Sequence, residues 1–161
     1  MNLLRQQALM AFTVSLVPIA RAYRARADKV VAPLGLSAAI AWPLVLIGRH
    51  PEGIRPGSLS MELGIEGPSL VRSLNQLVDA GLVLRQEDSV DKRAKILFLT
   101  EAGAQISVRI ENLLNALRET LFAGIPQADI EICLRTFSLL EQRLGINGLS
   151  TLDSDDAGTK D

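Results

Sequence analysis

The sequence holds one cysteine, Cys133, and one histidine, His50, in 161 residues. A lone cysteine closes no disulfide within the chain. With no CxxC and no Cys/His cluster, the residues for a structural metal site are missing too. The expected setting is a reducing cytoplasm, and no cofactor is expected. His50 and Cys133 lie far apart in sequence, and there is no Gly-rich phosphate loop. The chain is therefore not expected to be an enzyme. Nor does charge of one sign prevail: 17 Lys and Arg stand against 18 Asp and Glu, for a net charge of −1 and a pI of about 5.9. Such a balance argues neither for nor against nucleic acid, and any surface that binds it must be local.

An uninterrupted apolar run long enough to cross a bilayer is also missing. The segment Ala8–Ala20 follows Arg5 and ends near Ala20-Arg21-Ala22, loosely imitating an export signal. It continues directly into the charged stretch from Arg21 to Lys29, as one long amphipathic helix would. The uncharged run Val30–Gly48 contains Pro33, Gly35 and Pro43. Pro33 and Gly35 divide it into a helix end and a new, shorter helix, so a buried core helix is expected there and no membrane partner.

A chain of this length buries a substantial core without staples. Residues 3–31 predict a first helix with Pro18 as its only breaker, where a kink is expected. Ser37 is placed to cap a second helix reaching about Arg49, followed by the turn Pro51-Glu-Gly53. Residues 58–63 read as a short third helix stopped by Gly64. Pro68 suits the first turn of a fourth, and Gly81 its C-terminal cap. Leu82–Gln86 and Ile96–Leu99 are β-compatible runs separated by the polar stretch Glu87–Lys95, a hairpin with an extended tip. Thr100 is placed to cap a fifth helix with Ile106, Ile110, Leu113, Leu114, Leu117 and Leu121 at three- and four-residue intervals. After Pro126 a sixth carries Ile130, Leu134, Phe137, Leu140 and Leu144 at similar spacing. Residues 149–161 lack periodicity and are expected to form a disordered acidic tail.

The fold class expected is mainly α with a small β-wing. A winged helix-turn-helix module over 32–100 is flanked by apolar helices over 1–31 and 101–148. Those flanking helices carry more apolar surface than one small module covers, which predicts a homodimer built through them.

On a wheel of about 100° per residue, Leu70, Val71, Leu74, Leu77 and Val78 gather on one side of the fourth helix. Ser69, Arg72, Ser73 and Gln76 gather on the other, with Asn75 and Asp79 near the margin. Arginine forks onto guanine N7 and O6, glutamine pairs with adenine, and serine serves a base edge or a phosphate. An ordinary solvated face fits the wheel as well, but such a face favours Lys and Glu, and this one has no lysine and several short side chains. In the hairpin, Arg85, Lys92, Arg93 and Lys95 nearly balance Glu87, Asp88 and Asp91. Function there depends on whether Lys92 or Arg93 projects at the tip, where a narrow minor groove attracts a cation; a soluble hairpin of mixed charge is the alternative.

The stretch Leu63-Gly-Ile-Glu-Gly-Pro-Ser-Leu-Val-Arg-Ser-Leu-Asn-Gln-Leu-Val-Asp-Ala-Gly-Leu-Val83, with Asp91-Lys-Arg-Ala-Lys-Ile-Leu-Phe-Leu-Thr-Glu-Ala-Gly103, resembles the MarR family of transcriptional regulators, especially its SlyA-like branch. Residue-level likeness runs from about 63 to 103 and element order from about 10 to 145. The resemblance implies a dimeric repressor or anti-repressor that binds double-stranded DNA through one reading helix per half-site. Position by position, Pro68, Ser69 and Arg72 match the reading-helix contacts, Arg93 the arginine that enters the minor groove, and Asp91 the acid that braces it. Lys92 departs from the usual second arginine, keeping the charge and losing the planar fork. Relatives often release DNA when a small aromatic or anionic effector binds, and Arg21, Tyr23 and Trp42 match the basic and aromatic positions around that crevice. Trp42 fits a core role equally well. The oxidation-sensing branch carries a cysteine in its first helix; this chain has none there, and Cys133 is expected to pack. His50 is expected to be a helix-end group. A winged helix used for protein contacts, without DNA, remains the other reading.

Overall fold

The computed structural model describes residues 3–65, 67–88, 92 and 94–146. Asp91, Arg93 and the expected acidic tail lie outside the described residues. Among those described, six α-helices and one hairpin appear in the order α1 (Leu3–Val31), α2 (Ala38–Gly48), α3 (Pro56–Leu63), α4 (Gly67–Asp79), β1 (Val83–Glu87), β2 (Lys95–Leu99), α5 (Glu101–Phe122) and α6 (Gln127–Leu144). The chain falls into two compact units, Met1–Glu119 and Thr120–Asp161.

In the first unit, α2 is the centre of the core. Ala41, Leu44, Val45 and Ile47 are all buried, along with Ala27 and Val31 of α1, Leu59 and Leu63 of α3, Leu70, Leu74 and Leu77 of α4, and Ile110 and Leu114 of α5. The uncharged run that raised a membrane question is thus a 3-10 turn at Ala32–Leu34 followed by this core helix. Ser37 occupies the N-cap position of α2 in an extended conformation, but its side chain makes no capping bond; only its carbonyl takes the N–H groups of Ile40 and Ala41. Helix α3 starts at Pro56, two residues before the expected 58, because proline at the first helical positions needs no N–H partner and Arg55 is extended before it.

Strands β1 and β2 pair antiparallel from Val83↔Leu99 to Glu87↔Lys95. The link between α2 and α3 adds a further rung: Ile54 and Leu97 exchange both backbone bonds, at 3.1 and 2.9 Å. Thr100 joins the hairpin to α5. Its hydroxyl accepts the Gly103 N–H at 3.0 Å and donates to the Gly81 carbonyl at 2.8 Å, capping α5 while holding the turn out of α4. Gly81 itself has φ 69°, the left-handed conformation that favours glycine.

Helix α1 is long and apolar enough by length and composition to cross a membrane. Its residues Leu9, Met10, Val14, Val17 and Ile19 are exposed on the single chain, and Pro18 lies within the helix without ending it. In the second unit, α6 follows Pro126 and ends at a left-handed Gly145, with no buried residue along it. Ile132, Leu139 and Leu144 are exposed there. Cys133, expected to pack, is exposed as well.

Gly103 gives the Leu-Thr-x-x-Gly pattern its physical meaning. A Cβ at this position would lie 2.0 Å from the Leu82 carbonyl oxygen, so only glycine lets α5 approach the chain entering β1. Gly103→Ala is expected to cost about 1–3 kcal/mol, the usual penalty for overpacking. Urea unfolding should show it as a lower midpoint at unchanged slope.

Candidate nucleic-acid interface

Helix α4 is docked by Leu70, Leu74 and Leu77, each no more than 2% exposed. Pro68, Ser69, Arg72 and Gln76 are exposed. Two residues depart from the wheel. Ser73, expected on the outward stripe, is buried, and its hydroxyl donates to the Ser69 carbonyl at 3.2 Å. Val71, expected inside, is 54% exposed. The reason is the same for both: α1 and α2 reach over the Ser73 side of α4, where Arg24, Asp28, Ala39 and Trp42 share a cavity with it, and the Val71 side is left uncovered.

That cavity, about 480 Å³, is walled by Ser69, Arg72, Ser73 and Gln76 on one side and by Arg24, Asp28, Trp42 and Pro43 on the other. A second, of about 230 Å³, adjoins it and is lined by Tyr23, Leu46 and Glu62, with Arg24, Trp42 and Leu63 common to both. Arg24 is fixed by a bond from Nη2 to the Leu63 carbonyl at 3.0 Å. Asp28 Oδ1 is buried and has no hydrogen-bond partner among the described residues. The rings of Tyr23 and Trp42 lie 6.3 Å apart at 50°. Beyond them, burial pulls the Arg118 guanidinium down, yet its bonds to Glu111 and Tyr23 hold it above its ordinary value.

In the hairpin, Arg85 reaches back to α4, its Nη2 donating to Asn75 Oδ1 at 2.8 Å. Lys95 Nζ meets Glu87 Oε1 across the strands at 3.0 Å, and Lys92 is exposed.

A helix-turn-helix followed at once by a hairpin agrees with the comparisons. The model of the MarR family matches residues 34–94. The crystal structure of the transcriptional regulator PA3341 is 30% identical, with 83% of this chain and 98% of that one covered at a TM-score of 0.78. The chain belongs to the MarR family. A MarR-family regulator from Silicibacter pomeroyi is 28% identical over 79% of this chain and 85% of that one, with a TM-score of 0.71. The regulator SlyA has the same fold, at 20% identity, coverage of 83% and 93%, and a TM-score of 0.71. As a member of the MarR family the chain is a DNA-binding, non-catalytic transcriptional regulator.

Placed against this family frame, the sequence-predicted residues separate. Pro68, Ser69, Arg72 and Gln76 share one exposed stripe, while Arg85 and Lys95 are engaged within the module. Tyr23 and Trp42 come together at the cavities, but Arg21 is exposed and lines neither of the two. Arg24, about one helical turn further along α1, lines both. Arg24, Asp28, Arg55 and Asp88 were not picked out in advance; the partners of Arg24, Arg55 and Asp88 lie tens of residues away, and no local spacing announces them. His50 follows Arg49, the C-cap of α2; its N–H donates to the Ile47 carbonyl at 3.1 Å, and its ring meets Glu62 of α3 at 3.1 Å.

The burial of Ser73 yields a contrast. Ser73→Ala should change affinity for a preferred duplex by less than about twofold, because the hydroxyl is spent on its own helix, whereas Ser69→Ala should weaken binding by the roughly 0.5–1.5 kcal/mol of a lost hydrogen bond. Titration of labelled duplex with each variant makes the comparison.

Proposed function

We propose that this MarR-family chain is a cytoplasmic homodimer, a repressor or anti-repressor. It would read a two-fold symmetric operator with α4 in successive major grooves and the hairpin over the flanking minor grooves. The observation that carries the reading is the exposed stripe of Pro68, Ser69, Arg72 and Gln76 on a helix whose opposite face is locked into the core. Short side chains around one arginine and one amide suit close approach to base edges. Lys92 and Arg93 are proposed for the wing contact, Arg93 braced by Asp91, with Arg85 and Lys95 near the phosphates. Dimerisation through the chain-end helices is supported by the apolar side chains that α1 and α6 leave exposed.

We further propose that a small aromatic anion releases the DNA. Arg24 and Arg72 supply cationic donors in the larger cavity, Trp42 a flat apolar wall, and Asp28 an acceptor awaiting a donor. A bound hydroxy-aromatic acid would engage Arg72 and Gln76, the side chains that base reading needs. Ligand and operator would then compete for the same groups.

Selection from random duplexes should return a palindrome whose half-sites lie one or two helical turns apart. Arg72→Ala should cost about 1–3 kcal/mol and relax preference at one base per half-site, while Arg93→Ala should weaken binding at every sequence. Steep loss of affinity with salt favours DNA over a protein partner, since phosphate contacts release counterions. Unchanged affinity and preference in both variants would refute the assignment. Trp42 is the only tryptophan, so salicylate, used as a test aromatic anion, should alter its fluorescence, and saturating operator should suppress that change. Sedimentation at micromolar concentration should show no folded monomer.

A further inference from the structure

Among the described acids of the hairpin, Asp88 alone is buried, at 5% exposure against 64% for the Glu87 side chain beside it. Its backbone N–H donates to the Ala94 carbonyl at 3.1 Å, closing the neck beyond the last rung of the strands. Its carboxylate Oδ2 accepts from Arg55 Nε at 2.9 Å and also from Arg55 Nη2. Arg55 is the N-cap residue of α3. The residue before it, Ile54, already exchanges two backbone bonds with Leu97. Two consecutive residues at the entrance of α3 therefore hold the hairpin at two places: the middle of β2 and the end of β1.

Only the carboxylate of this pair is buried, and its desolvation offsets much of the attraction, so the pair adds little net stability. Breaking it is costly, and its directional bonds fix geometry that apolar contacts leave free. Here the fixed quantity is the attitude of the hairpin. Helix α3 packs on α4 through Leu59 and Leu63 in the common core, so a hairpin bound to the start of α3 is held at a set angle to the reading helix.

We propose that Arg55 and Asp88 form a clamp that aims the wing, and that both are positioning residues with no necessary contact to DNA. This rests on the reading of α4 and the hairpin as the DNA surface. The rival role for Arg55, whose side chain is 54% exposed, is a direct phosphate contact, and the two differ in sign. Asp88→Asn removes a negative charge from the DNA-facing hairpin and leaves the Arg55 cation in place. A phosphate-contact role therefore predicts equal or tighter binding; a clamp predicts weaker.

The test uses the full-length dimer and the duplex selected by the unaltered protein, titrated across a KCl series, with hydroxyl-radical footprints and thermal unfolding of each variant. Asp88→Asn and Arg55→Met are each expected to weaken binding roughly tenfold and to make the salt slope shallower by about 2 per dimer, one phosphate for each wing. The double variant should be no worse than either single one. Protection at the minor-groove flanks should fade while the base preference set by Arg72 stays. Equal or tighter binding by Asp88→Asn, or additive losses in the double variant, would overturn the clamp. If Asp88→Asn does not fold, Arg55→Lys decides. It keeps the charge and loses the fork, so faded flank protection at an unchanged melting temperature supports the clamp and an intact footprint overturns it. Failure of the unaltered protein to bind any duplex would instead refute the DNA reading itself.

Discussion

The burial of three leucines, Leu70, Leu74 and Leu77, beneath α4 is the constraint that decides which face of the helix is exposed. Each contributes about 1.5–3 kcal/mol by leaving water, and all three meet a core organised around Leu44, Val45 and Ile47 of α2. Turning α4 by one residue about its axis would lift leucine into water and press Arg72 or Ser69 into hydrocarbon, a change that costs far more than a typical domain's margin of stability. The direction in which Arg72 and Gln76 point is therefore decided by side chains that never approach a ligand. The same core holds α3, and through Ile54 and Arg55 it also holds the hairpin. Reading helix and wing are thus parts of one packed body.

Because α1 and α2 overhang one flank of α4, the reading stripe is also a cavity wall. Any molecule that prefers one arrangement of that wall biases the other occupant equally, since coupling between two binding events is reciprocal. Arg118 and Arg49 both donate to Glu111, which joins α5 to the end of α2. Arg24, tied to the Leu63 carbonyl at the end of α3, links α1 to the helix-turn-helix on the other flank.

Much of this was legible from the residues. Spacing of apolar positions located α5 and α6, composition and the capping, proline and glycine signals bounded the earlier helices, Thr100 announced the start of α5, and Gly81 marked the end of α4. The function was carried by the Asp-x-Arg-Ala-Lys and Leu-Thr-x-x-Gly residues more than by composition. What was not legible has a common cause. A helical wheel assumes that the core meets a helix symmetrically, and it put Ser73 outside and Val71 inside; the overhang of α1 and α2 shifted the buried arc by one position in each direction. Arg21 was favoured over Arg24 because nothing in α1 alone says which arginine faces α2. Asp88 was read as one charge among several in a polar tip, because its partner is 33 residues away.

The near-neutral charge of the chain shows why electrostatic arguments about DNA need positions as well as totals. Of the acids in the first unit, Asp88 is buried against Arg55, Glu87 meets Lys95, Glu62 meets His50 and Glu111 is held between Arg49 and Arg118. Asp88, Glu87 and Glu111 are each compensated by an arginine or lysine within a few ångströms, so little of their field reaches a phosphate a Debye length away, about 8–10 Å at physiological salt. Arg72, by contrast, forms no ion pair among the described residues and stands exposed beside Ser69 and Gln76. A backbone of phosphates meeting this face encounters an exposed cation flanked on its own helix by Ser69 and Gln76, on a protein whose overall charge is −1. Local attraction and a near-neutral total are compatible where acids such as Glu87 and Asp88 are held in pairs, and the pair that holds Asp88 is the one proposed to set the angle of the wing.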